Sequence, residues 1–373
     1  MELIDEDGNL FGAVNVVDAL AVCLVLAVLV AGVAAVGTLG ASEETETDEP
    51  HIETRYATID LGTQLSSTAD DISVGDEMAH DDYPHTLTVT DVYATPVSSS
   101  EAHVTVRTEI EGTQFENGTY AFGDQEFAPG QNVSIDTGEY AATGGIDAVE
   151  DEGTDLPRTE TDVLLETTLS PSAAADVRVG DEVTFGDDTV ATVETVSVYP
   201  VSDEQHRVFV GATLTTLERG ADLRYGDAPV ESGSVIPLST ADYDLMLDVL
   251  ETETIEETGE PATTTVEIDL EKLSDREASL FEPGLTETAG GETWATIEDV
   301  EREPASVVVE SEDGQLHEHE HPTRDDVTLT VELQTRDTEL GPRFKGDALN
   351  NGDTVYLDFG VTSVEERVWI VDD

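Results

Sequence analysis

The residues whose types and spacing come nearest to chemistry are His317-Glu318-His319-Glu320-His321, imidazoles and carboxylates in strict alternation. His317, Glu318 and His321 match the H-E-x-x-H pattern of zinc hydrolases. There, two histidines one helical turn apart hold the metal and the glutamate acts as base. That geometry requires a helix. Pro322 follows directly, and the strand-like segments VVVES and DVTLTVEL lie on either side. The segment therefore reads as a polar hairpin connection, which excludes the protease arrangement. In an extended chain His317, His319 and His321 project from one face and could take a divalent cation. His80 and His85, around Asp81-Asp82, form a smaller grouping of the same kind at another hairpin tip.

Little else in the chain points to catalysis. It contains no G-x-x-x-x-G-K-[ST] or G-x-G-x-x-G phosphate loop, and no G-x-S-x-G nucleophile elbow. Carboxylates abound, so a pair at glycosidase spacing arises by accident and singles nothing out. Cys23 is the only cysteine, which excludes intrachain disulfides and zinc sites with two thiolates. The chain reads as non-enzymatic, with no cofactor. Asn117-Gly118-Thr119 and Asn132-Val133-Ser134 are glycosylation sequons, with Asn117 and Asn132 as acceptors.

The elements that would position these residues begin with an apolar run from Ala19 to Ala41, which holds no charge and Thr38 as its one polar side chain. At about 1.5 Å per residue such a helix crosses the roughly 30 Å hydrocarbon core of a bilayer. The residues before it are acidic and lack Lys or Arg, unlike a cleaved signal peptide. One N-terminal transmembrane helix, through which residues 19–41 meet the lipid bilayer, is the expectation. A short tail at 1–18 and a large following part suggest a single-pass protein with its bulk outside the cell.

Charge is the second strong signal. The 373 residues carry 84 acids and 15 bases, a formal net charge of −69. The acids are dispersed among strand-like alternations rather than gathered in a disordered block. At molar salt the Debye length falls to roughly 3 Å and self-repulsion is screened. The composition is that of a protein from an extreme halophile. The same field repels nucleic acid as a partner.

Internal repetition is the third signal. Val74-Gly75-Asp76-Glu77 recurs as Val179-Gly180-Asp181-Glu182 and, degraded, as Pro283-Gly284-Leu285-Thr286. After each come alternating strands, LTVTDVYATP, ATVETVSVYP and ATIEDVEREP, and then HVTVRTEI, RVFVGATL and VTLTVEL. Each copy closes with an aromatic residue and a Gly-Asp pair: Phe122-Gly123-Asp124, Tyr225-Gly226-Asp227, and Phe344 with Gly346-Asp347. A further glycine follows each, at Gly130, Gly233 and Gly352. The paired motifs are tight turns between strands. The fold class is all-β: the anchor, then three tandem small β-barrel or sandwich domains at 53–150, 161–251 and 262–373. Acidic, Thr-rich linkers at 42–52, 151–160 and 252–261 separate them, too polar to bury a face. Helix is confined to short turns near Leu65–Asp71, Ser172–Val177 and Ser274–Leu280.

At the N-terminus, Leu3-Ile4-Asp5 and Asn9-Leu10-Phe11 flank Glu6-Asp7-Gly8, a hairpin turn. The line LIDEDGNLFGAVNVVDALAVCLVLAVLV, with its acidic turn, Phe11-Gly12 and Asp18, and the later FAPGQNVSIDTGEYAATGGIDAVE carry a resemblance. The chain resembles an uncharacterised family of single-span prokaryotic membrane proteins, domain of unknown function number four thousand three hundred and thirty. The resemblance is strongest over the anchor and first domain and fades toward the third. It implies a membrane-anchored β domain and supplies no catalytic residue. The expected role is a structural, scaffolding or binding one. The alternatives are an accessory subunit among the proteins of a cell-envelope or polysaccharide-export assembly, and a metal-dependent hydrolase built on residues 317–321.

Overall fold

A computed structural model describes the backbone of residues 9–10, 14–15, 51–310 and 316–371, with side chains for 51–308 and 319–371. The chain divides into two units, Met1–Pro50 and His51–Asp373. In the first, β1 (Asn9–Leu10) pairs antiparallel with β2 (Val14–Asn15), Leu10 opposite Val14. The turn expected at Glu6-Asp7-Gly8 lies outside the described residues. So does the run from Ala19 to Ala41. Among the described residues no helix is long and apolar enough to cross a membrane.

Residues 51–371 form three copies of one all-β repeat, each a curled eight-stranded antiparallel sheet. The first contains β3 (His51–Leu65), β4 (Glu77–Ala79), β5 (Thr86–Ser98), β6 (Glu101–Gln114), β7 (Tyr120–Phe122), β8 (Gln125–Glu126), β9 (Asn132–Asp136) and β10 (Ala141–Glu150). In space the order is β4-β5-β6-β3-β10-β9, with β7 and β8 folded onto the end of β6. The second repeats this path with β11 (Arg158–Leu169), β12 (Glu182–Phe185), β13 (Asp188–Ser202), β14 (Gln205–Arg219), β15 (Asp222–Tyr225), β16 (Ala228–Pro229), β17 (Val235–Ser239) and β18 (Asp244–Thr252). The third does so with β19 (Glu260–Ser274), β20 (Thr286–Ala289), β21 (Glu292–Glu310), β22 (Leu316–Thr338), β23 (Gly341–Phe344), β24 (Asp347–Ala348), β25 (Thr354–Asp358) and β26 (Ser363–Ile370).

Period-2 alternation builds these sheets. Ala57, Ile59 and Leu61 of β3 are buried while Thr58 and Asp60 between them are not. The expected helical turns occur as α1 (Ser66–Asp71), α2 (Pro171–Ala174) and α3 (Asp275–Ala278). Each buries one alanine: Ala69, Ala174 or Ala278. The helix α3 begins on a full capping box between Ser274 and Glu277, worth about 1 kcal/mol at its N-terminus. The Gly-Asp landmarks are indeed turns. Gly75, Gly180 and Gly284 all have φ between 88° and 97°, and each N–H donates to the carbonyl of Val89, Val193 or Ile297.

Two expectations change in the structure. The segments 151–160 and 252–261 are fixed rather than loosely strung between domains. Leu156 is buried, and its N–H donates to Asp91 at 2.8 Å. Thr90 Oγ1 donates to the Thr154 carbonyl, Arg107 Nε to the Gly153 carbonyl, and Thr195 Oγ1 to the Ile255 carbonyl. Polar side chains gave no hint of packing here because the backbone carbonyls make the contacts. The cores are also less separate than three domains imply. The second and third repeats share one continuous apolar cluster, joined by Tyr93 of the first. The rest of the first core, around Ile59, Leu87, Val106 and Ile110, is its own.

Candidate functional site

The repeats dock in one direction, and the docking element is the turn after the aromatic residue of the β7–β8, β15–β16 or β23–β24 hairpin. In the second repeat this turn seats Gly226 against the first. Its φ is +61°, and a Cβ there would lie 2.6 Å from Thr95 Oγ1. Around it Tyr93 donates to the Thr215 carbonyl at 2.5 Å. Arg219 lies 2.9 Å from Asp60 and 3.0 Å from Asp147. Asp60 is pushed up by burial. His103, Arg219 and the Gly62 N–H outweigh that and hold it well below the usual carboxylate range.

In the third repeat the corresponding turn is Lys345-Gly346, and it seats against the second. Strand register places Lys345, not Gly346, at the position of Gly123 and Gly226, since Phe344 pairs with Asp347 as Tyr225 pairs with Ala228. The expected Gly-Asp correspondence is thus one residue out in the third copy. Lys345 holds a left-handed φ of 52°, which costs a non-glycine residue about 1 kcal/mol or more. Its Nζ donates to Glu287 at 2.7 Å, the Pro200 carbonyl at 2.8 Å and the Tyr356 carbonyl at 2.7 Å. Glu287 is fully buried and also accepts from the Asp358 N–H. Burial pushes the Glu287 carboxyl up and the Lys345 ammonium down, each opposed by the other's charge. Glu287 itself occupies a core position: Val183 stands there in the second repeat, opposite Ala191 as Glu287 is opposite Ala295. Arg207 completes the clamp, donating to the Lys345 carbonyl and to Asp347 at 2.7 Å while lying 3.1 Å from Glu166.

Beside this clamp opens a cavity of about 690 Å³, a size suited to a small ligand. Tyr199 and Trp294 form one wall with ring centroids 4.4 Å apart, and Phe209 stands behind at 5.7 Å from Tyr199. Tyr199 donates to Glu257 at 2.9 Å, and burial and then that carboxylate push its hydroxyl well up. Arg336, Arg343 and Lys345 line the same space with Glu194, Glu251, Glu256 and Glu292. Nothing at the sequence level singled out this groove. The available signal was departure from the repeat, read position by position after the strands are in register.

The histidines flagged by their spacing fall elsewhere. His317, His319 and His321 are not in a loop: all three lie in β22, which runs on with β21 past the rest of the sheet. Val307 pairs with His319 and Val309 with His317, while β19 reaches only as far as Arg324. The hairpin outgrew the expected connection because backbone pairing continues through polar residues. The side chain of His317 lies outside those described. His321 Nδ1 accepts from the Thr323 N–H. Among the described residues no group of three His, Cys, Asp or Glu could hold a metal ion.

His80 and His85 belong to the β4–β5 connection, which turns back over the Gly123 turn. His85 Nδ1 accepts from the Gly123 N–H at 2.8 Å, and its Nε2 lies 2.9 Å from Thr113 Oγ1. Tyr83 stacks on His85 and donates to Asp124. His80 packs where a Cβ on Gly123 would fall. The loop therefore does for the first repeat what the preceding repeat does for the other two. Desolvation, then the nearby His80, lowers the pKa of His85. Asn117 and Asn132 are both exposed, Asn117 in the β6–β7 turn and Asn132 at the start of β9.

The chain belongs to the family described as Domain of unknown function (DUF4330), which matches residues 1–97 and 244–372. No curated protein and no solved structure matches it. The matched stretches run from the N-terminus through most of β5, and from β18 through the whole third repeat. The segment FAPGQNVSIDTGEYAATGGIDAVE lies in the unmatched stretch 98–243, contrary to the expectation that similarity fades toward the C-terminus.

Proposed function

We propose that this member of the family is a membrane-anchored binding scaffold from an extreme halophile, held in the bilayer by residues 19–41 and carrying its β repeats outside the cell. The observation that carries the scaffold reading is the clamped junction between the second and third repeats. A buried lysine that reaches across to the Pro200 carbonyl, an arginine clamp and a shared core hold two repeats in one geometry around a groove. Fixed geometry is what a binding surface between repeats requires, because a hinge there would close or open the groove with each fluctuation. The run of uncharged residues at 19–41 supports the anchor, and the net charge of −69 supports the saline setting.

Hydrogen exchange on the full chain in molar KCl tests the scaffold. Amides across 252–261 should be protected nearly as well as the core strands. Free exchange there would make the junction a hinge and remove the reading. Protease shaving of intact cells tests the address. Cleavage should remove the repeats and leave a membrane-bound N-terminal stub, and full protection of a C-terminal tag would reverse the orientation.

A second reading, subunit of an envelope assembly, draws on the β21–β22 hairpin. Among the described residues neither strand has a third neighbour beyond Ser306 and Glu320, so both edges can accept another strand. Shortening this hairpin by deleting residues 307–319 should abolish crosslinking to envelope proteins and leave the melting temperature unchanged.

A further inference from the structure

The first two repeats use the tip of their central hairpin to hold the next repeat. Asp244 accepts from Ser99 in the β5–β6 turn, and the Tyr356 hydroxyl donates to Asp203 in the β13–β14 turn at 2.6 Å. Those hairpins close at once, with Ser98 opposite Glu101 and Ser202 opposite Gln205. In the third repeat the same hairpin runs on. Its pairing continues from Pro304 and Asp325 to Glu310 and Leu316, past Arg324, where β19 stops. Among the described residues this extension is a two-stranded ribbon with no third strand. Such a ribbon is marginal in water until another strand joins it.

The two edges of the ribbon are not alike. Along β22 the order His317-Glu318-His319-Glu320-His321-Pro322 brings charge and then a residue without an N–H, both of which blunt strand addition. Along β21, Pro304 to Val309 reads PASVVV, with no charge, in a chain where 27% of residues carry one. Val308 is 59% exposed. An uncharged, valine-rich edge is open to pairing. Symmetry then favours one partner. Two copies related by a two-fold axis bring the same strand together antiparallel. Centred on Val308, β21 against β21 sets Val307 opposite Val309 and Ser306 opposite Glu310, so no like charges meet. For β22 against β22, any centre from Glu318 to Glu320 sets glutamate opposite glutamate. Any foreign strand would need the same lack of charge, which a second copy brings by construction. Molar salt screens the remaining repulsion between two chains of net charge −69.

We propose that β21 of one chain pairs with β21 of a second copy, antiparallel about Val308, so that two third repeats share one sheet. The pairing goes beyond the scaffold reading and draws nothing from the groove. Contact over Ser306–Glu310 alone buries far less than the roughly 1,000 Å² of a stable interface, so the dimer forms and dissociates rather than persisting.

The test uses the full chain in molar KCl with Cys23→Ser, so that an introduced thiol stands alone. Val308→Cys, Glu301→Cys and Glu320→Cys, all at exposed positions, are each treated with a short bifunctional thiol reagent. Covalent dimer should form from Val308→Cys about tenfold faster than from the other two, whose thiols meet only by collision. A roughly fivefold excess of the thiol-free chain should lower that yield about sixfold by mass action. The same excess of a thiol-free chain lacking residues 307–319 should leave it unchanged. If Val308→Cys melts early, Val307→Cys replaces it, since the pairing holds that residue about 7–8 Å from its own copy. Equal rates at all three positions, fastest dimer from Glu320→Cys, or equal competition by the shortened chain overturns the proposal.

Discussion

Reverting the buried ion pair to the residues of the neighbouring repeat isolates what fixes the third repeat's docking turn against the Pro200 corner of the second. Glu287 is fully buried and Lys345 is 7% exposed, and between them they make the hydrogen bonds that join β20, β25 and the Pro200 corner. Lys345→Gly leaves a carboxylate in the core with only the Asp358 N–H to satisfy it, a loss of about 3–5 kcal/mol. Relief of the left-handed φ at 345 returns about 1 kcal/mol of that. Glu287→Val likewise strands an ammonium among carbonyls. The double variant Lys345→Gly/Glu287→Val recreates the Gly226 and Val183 pairing of the second repeat and should lie within about 1–2 kcal/mol of the parent. The assay is calorimetry in molar KCl on the parent, both single variants and the double. In a body of this size each kcal/mol moves the melting temperature by roughly 2–4 °C, so Lys345→Gly should fall by roughly 4–16 °C, Glu287→Val by roughly 6–20 °C, and the double should recover. Additive losses, with a coupling below about 0.5 kcal/mol, would mean that the pair does not act as a unit and that the clamp lies elsewhere.

Acid should loosen the first repeat through His85. Its Nδ1 accepts from Gly123, so the ring stays neutral when folded. The unfolded chain takes a proton near pH 6.5, and stability should decline as pH falls below that value. His85→Gln should flatten this decline between about pH 7 and 5, leaving the slope from His206, whose pKa burial also lowers. An unchanged slope in urea melts would refute the assignment. Gly226→Ala places a Cβ 2.6 Å from Thr95 Oγ1 at a φ of +61° and should cost about 2–4 kcal/mol, with faster proteolysis inside 151–160. Gly186→Ala, at φ +59° with open space around it, should cost only about 1 kcal/mol. Equal losses would show that backbone strain alone is being read. Diluting KCl from molar to about 0.1 M lengthens the Debye length to roughly 10 Å and should abolish the cooperative melt. Persistence of that melt would detach the fold from its charge.

The β repeats were legible because alternation and turn glycines are local. The segments LTVTDVYATP, ATVETVSVYP and ATIEDVEREP all lie within β5, β13 and β21, and the helical turns fall at Ser66, Pro171 and Asp275. What failed to show was everything that depends on one repeat meeting another. Leu156 and Ile255 sit in acidic stretches whose side chains suggest solvent, yet the sheets on either side claim their backbone groups. The run His317 to His321 drew attention by composition alone. Cross-strand pairing with Val307 and Val309 makes it part of a hairpin, a relation fixed by partners on the facing strand rather than by neighbours in sequence.

The groove was illegible for a related reason, and its visibility now follows from the same repetition. Three copies of one path give each position two internal controls. Where Val183 becomes Glu287 and Gly226 becomes Lys345, the two changes meet at 2.7 Å in one ion pair, so neither can be judged alone. Where Val190 becomes Trp294 and Leu217 becomes Arg336, small apolar residues give way to donors that the fold leaves unpaired. The first pair of exchanges joins Lys345 to Glu287 Oε1 within the third repeat and leaves Glu287 Oε2 without a partner among the described residues, while Lys345 alone reaches across to the Pro200 carbonyl. The second pair falls at the same junction, where the Trp294 ring packs on Tyr199 of the second repeat with centroids 4.4 Å apart, so both sets of exchanges lie where one repeat meets the next and can be read only once the strands are in register.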